Sequence, residues 1–154
     1  MTQDAPRADD LAATRTLAAT LNNRAWDLIE QSMRSASEQG EMCDAAVASR
    51  HLWYIATGGA QGAPCIERLR GHHLVACAMA KAGRMSEASR AAQRATETEA
   101  ALPQDAVMQF DRVMTMVTMH LASGARELDP NLNAAVGALD KDERAVANAV
   151  LVGS

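Results

Sequence analysis

Aromatic residues make up only 3% of this 154-residue chain: two Trp, one Tyr and one Phe. A core without large rings must be assembled from small side chains, and alanine dominates the apolar half of the composition. Cysteine is also sparse. Cys43, Cys65 and Cys77 are odd in number and irregularly spaced, which excludes a disulfide framework and reads as small buried hydrophobes in a reducing compartment. Long apolar runs are absent. The longest, Leu74 to Ala80, is far too short to span a bilayer. The N-terminus opens with Asp4, Pro6, Asp9 and Asp10 and has no basic region leading into an apolar core, unlike a secretory signal. A cytoplasmic chain with no membrane partner is the expectation. A net charge of −4 argues against a general nucleic-acid binder, which is usually basic.

What is present is helical periodicity. The polar residues 1–8, with Pro6, predict a disordered arm ahead of a single domain over 9–152. From Asp9 the pattern runs to Gln39, with Leu11, Leu17, Leu21, Leu28, Ile29 and Met33 as apolar positions and Asn22-Asn23 the only candidate break. Gly40 is expected to end it. A second helix should cover about Met42 to Ala56. Thr57-Gly58-Gly59-Ala60-Gln61-Gly62-Ala63-Pro64 is the clearest loop. Its glycines suggest a phosphate cradle, but that needs a preceding strand and usually a lysine, and neither is there. Apolar or small residues then recur at Leu69, Val75, Ala76, Met79 and Ala80, and after Gly83 at Met85, Ala88, Ala91, Ala92 and Ala95. Two helices joined by a left-handed glycine are predicted. Pro103 with Asp105 marks a helix running to Ser123 and stopped by Gly124. Asp129-Pro130 starts a shorter one, and Asp140 with Glu143 resembles a capping box for the last. No stretch alternates as a strand would. The chain is expected to be all-α, built of antiparallel helical hairpins or a bundle of about six helices.

Gly40-Glu41-Met42-Cys43-Asp44-Ala45 and Gly83-Arg84-Met85-Ser86-Glu87-Ala88 both read glycine, charged, methionine, any, acid, alanine. With its flanking helices this resembles a tetratricopeptide-like repeat in about two copies, over residues 26–57 and 69–102. Gly83, Glu87, Ala88, Ala92 and Ala95 stand where that family places its turn glycine, acid and small packing residues. Val75, Ala76 and Met79 stand at first-helix packing positions. His72 departs from the usual tryptophan, and Ala76 from a frequent glycine. The resemblance implies a surface for binding another protein, and no catalysis.

The chemistry-bearing residues are few. His73 and Cys77, one turn apart, offer two zinc ligand types where zinc needs three or four, so no metal and no cofactor is expected. A nucleophile paired with a base, or paired carboxylates on an apolar helix, is not evident, and the chain is not expected to be an enzyme. Phe110, Val113, Met114, Val117 and Leu121 form one core stripe. Met108, Met116 and Met119 fall on the other side with Arg112, and that second apolar face is the expected partner surface, with a homodimer as the first candidate. Arg68, Arg70, Arg90 and Arg94 form an alternative face for an anionic partner, an acidic protein or a nucleic acid.

Overall fold

A computed structural model describes residues 7–152, and among them every regular element is helical: α1 (Ala8–Ile29), α2 (Ala36–Ala56), α3 (Ile66–Lys81), α4 (Met85–Ala101), α5 (Gln109–Ser123), α6 (Pro130–Gly137) and α7 (Lys141–Leu151). A single 3-10 turn, Gly59–Gln61, interrupts the loop after α2. Residues 1–6 of the expected arm lie outside the described residues, and Ala8 already belongs to α1.

The helix starts and stops follow from local chemistry. Gly83 has φ 72°, and the Arg84 amide returns 2.8 Å to the Met79 carbonyl, closing α3 as the glycine predicts. Gly124, with φ 67°, does the same for α5. Asp129 and Asp140 accept the first free amides of α6 and α7. The α1 boundary differs from expectation. α1 stops at Ile29, Asn22-Asn23 stay inside it, and Gly40 lies within α2 instead of ending a helix. Ser35 and Glu38 form a reciprocal capping box that starts α2 afresh, while Arg34 Nη1 donates to the Leu28, Ile29 and Gln31 carbonyls and ties off α1. Met33 therefore protrudes from the connection. The two similar hexapeptides begin at different backbone positions, one at a turn and one inside a helix. α5 also starts later than Pro103 suggests, because residues 103–107 form a turn before Met108.

Packing centres on α3, which contacts α1, α2, α4 and α5. From Leu69 to Met79 all its residues are buried except Arg70 and His72, which leave by different sides. α4 buries only Ala88, Ala91, Ala92 and Ala95 against it, so the two axes can come as close as helices allow. Consecutive helices pack on each other, and α1, α3 and α5 also touch in sequence, as in a row of hairpins. A small second cluster of Leu69, Ala95, Leu102 and Val107 sits under the α4–α5 connection. α2 and α4 flank α3 and leave a groove between them, floored by Val75 and Met79.

Candidate anion-binding groove

The groove begins with the loop after α2. Gly58 and Gly59 take positive φ, 94° and 57°, and turn the chain so that its carbonyls face inward. Arg68 fills the space they enclose. Its Nε donates to Thr57 Oγ1 at 2.8 Å, Nη1 to the Gly62 carbonyl at 3.1 Å, and Nη2 to the Thr57 and Gly59 carbonyls at 3.1 and 2.7 Å. The glycines thus cradle a guanidinium with carbonyls, the reverse of a phosphate loop, which presents amides. Gly62 is required there: a Cβ would sit 1.9 Å from the Thr57 carbonyl oxygen and 2.3 Å from Arg68 Nη2. The same guanidinium lies 4.9 Å over the Tyr54 ring, which stacks on His51.

Beside Arg68 one end of the groove is a cleft of about 430 Å³, lined by Arg50, Tyr54, His72, Arg94 and Thr98 among others. Arg50 comes from α2, Arg94 from α4 and His72 from α3. Gly71 permits this arrangement, since a Cβ there would press within 3.2 Å of the Arg50 side chain. The cleft holds three arginines and no carboxylate. Unlike Arg68, Arg50 and Arg94 donate no side-chain hydrogen bond to any described residue, so their forks are open. Burial, with Arg94 nearby, holds the Arg50 guanidinium below its ordinary value. Burial and the charges of Arg50, Arg94 and Arg68 push His72 down to about 4, and its Nδ1 is buried without a hydrogen-bond partner. Toward the hairpin turn the groove continues past Arg90 and Arg84, the latter paired with Glu87 at 2.9 Å.

The arginines expected to form one face are therefore divided. Arg68 and Arg94 share the cleft and Arg90 lies farther along the groove, but Arg70 projects elsewhere and holds Asp111. Arg50 completes the set. Its position gave no sign of this, because it lies in α2, outside the basic hairpin, and only the crossing of α2 over α3 brings it near.

The methionine face is also divided. Met116 and Met119 are 38% and 47% exposed and line a separate groove with Leu128 and Leu132. Met108, 60% exposed, stands at the opposite end of α5. Arg112 is engaged with the Gln104 side chain and carbonyl, and with Glu99 at 3.8 Å. His73 and Cys77 face inward. His73 Nε2 and the Thr115 hydroxyl share a hydrogen bond of 2.8 Å whose direction follows the imidazole tautomer, Thr115 Oγ1 also lies 3.2 Å from the Asp111 carbonyl, and burial pushes the Cys77 thiol up to about 12. A thiol held neutral is a poor metal ligand, and no cluster of three His, Cys, Asp or Glu is placed for a metal among the described residues.

The chain matches no model of a known family, no curated protein and no solved structure.

Proposed function

We propose that this chain is a non-catalytic binding module, with tetratricopeptide-like hairpins, that docks an acidic segment of another protein between α2 and α4. The observation that carries this reading is the pair of open guanidiniums, Arg50 and Arg94, in a cleft with no carboxylate. Half-buried cations such as Arg50 and Arg68 are ordinarily paired, and with the exposed Arg94 beside them the cleft holds three positive charges and no carboxylate, which favours an anion from outside. The groove, lined by residues of α2 and α4 over α3, continues from the cleft past Arg90 and Arg84 and so can take an extended segment.

A ten-residue polyglutamate peptide, titrated into the full chain and followed by fluorescence anisotropy, tests this. Binding should weaken with salt, as expected of charges exposed on the groove walls, and should vanish in the Arg50→Glu, Arg94→Glu double variant. Salt-independent binding, or an unchanged double variant, would remove the groove as the site.

Self-association is a second reading, favoured by one observation: Met116, Met119 and Leu128 are exposed together on one side of α5. Methionine adapts to partner surfaces at little conformational cost.

A further inference from the structure

From the composition of the cleft we infer that it recognises a phosphoryl group, carried on a serine or threonine side chain of the docked segment. This rests on the acidic-segment reading and names the chemistry of its anchor.

Arg50 and Arg94 supply two planar forks with no intramolecular use, from opposite walls, and Arg68 adds a third positive charge whose donors are already spent on the loop. A carboxylate offers two oxygens and one charge. A phosphate monoester offers three oxygens and a charge approaching −2, and so satisfies both forks at once and offsets more of the trapped charge. His72, between the two walls, leaves its buried Nδ1 without an intramolecular partner, and in the Nδ1–H tautomer that nitrogen can donate to a phosphoryl oxygen. The volume of about 430 Å³ exceeds a phosphate and leaves room for the side chain that bears it.

A nucleic acid is the less suitable source of that group. Arg68 already occupies a face of Tyr54 at 4.9 Å, which restricts the ring, 39% exposed, as a platform for a base. A net charge of −4 repels a polyanion at long range, whereas one phosphoryl group is held by local contacts.

The test uses the uniformly nitrogen-15-labelled full chain and reads the Nε–H resonances of Arg50 and Arg94. Inorganic phosphate, O-phosphoserine, acetate and a ten-nucleotide oligothymidylate are titrated separately. Phosphate and phosphoserine should shift both resonances saturably, and acetate, with one acceptor oxygen and about one charge fewer, should need at least about tenfold higher concentration, the scale of one charge-assisted hydrogen bond. Arg94→Gln, at an exposed position, should weaken phosphoserine binding about tenfold, the usual scale for one lost charged hydrogen bond, while Arg112→Gln leaves it unchanged. Equal response to acetate and phosphoserine would overturn the phosphoryl assignment and leave the acidic-segment reading standing. A response to phosphate but not to phosphoserine would also overturn it, as would tighter binding of the oligothymidylate. Silence with every probe, joined to failure of polyglutamate to bind, would overturn both readings together.

Discussion

Asp111 on α5 is 1% exposed, yet both its oxygens accept hydrogen bonds from Arg70 on α3, at 2.8 and 3.1 Å, and Arg70 itself is 51% exposed. One side of this ion pair is inside the protein and the other is in water. Removing Arg70 leaves a carboxylate buried without a counter-ion, so Arg70→Ala should destabilise the fold by about 2–3 kcal/mol, below the 3–5 typical of a pair buried on both sides. Replacing both partners by apolar residues, Arg70→Met with Asp111→Leu, should recover most of that loss. Urea unfolding of the three proteins checks both statements.

Two glycines should respond to alanine with opposite sign. At Gly62 the new Cβ collides with the Thr57 carbonyl and with Arg68, so Gly62→Ala should cost at least about 2 kcal/mol, the range for a backbone position that must shift. At Gly40, inside α2, a Cβ meets nothing within 4 Å. Gly40→Ala should therefore stabilise by about 0.5–1 kcal/mol through helix propensity. Thermal melting of the two variants separates the cases directly.

Stability should fall with pH earlier than carboxylate titration alone would cause. His72 and His73 are both held down to about 4, chiefly by burial, against 6.5 when unfolded. Arg50, Arg94 and Arg68 press His72 further down. His72 and Arg70 do the same to His73, while Asp111 opposes. Between pH 6.5 and 4 the unfolded chain thus binds more protons, and the contribution of the neutral imidazoles is whole above 6.5 and drains as pH falls toward 4. By pH 5 the loss from buried His73 should be about 2 kcal/mol, with less from His72. Urea midpoints at pH 7, 6 and 5 should show this fall, and His73→Gln should reduce it.

If α5 carries a self-association face, Met116→Glu with Met119→Glu should convert a dimer to a monomer in light scattering coupled to size exclusion. A wild-type monomer at tens of micromolar, the concentration where weak interfaces fail, would sink the idea. Both side chains are exposed, so the substitutions should leave the protomer fold intact and lower the melting temperature only by the stabilisation that association supplied.

Much of the architecture was legible in the sequence because it depends on local signals. The hairpin at Gly83, the stop at Gly124 and the caps at Asp129 and Asp140 each involve residues within one turn of each other. The Phe110–Leu121 stripe follows from helical spacing. Where the structure departs from the expected boundaries, a competing local signal decides. Ser35 with Glu38 spells a capping box as clearly as Asp140 with Glu143 does, and it outweighs Gly40, which an exposed helix tolerates. The groove was legible only in part. Arg68 and Arg94 are visible as a basic hairpin, but Arg50 joins them across α3, and no periodicity records a crossing between helices. Nor could spacing reveal that Arg70, two residues from Arg68, turns to another side of the helix and is neutralised there.

The carbonyl cradle around Arg68 also bears on how this surface can change over generations. Arg94 supports nothing but the groove, so drift can remove it wherever binding is not under selection. Arg68 holds the loop between α2 and α3 through four hydrogen bonds. Selection for folding alone keeps it, and one of the three positive charges of the cleft is thereby preserved whether or not the groove binds anything.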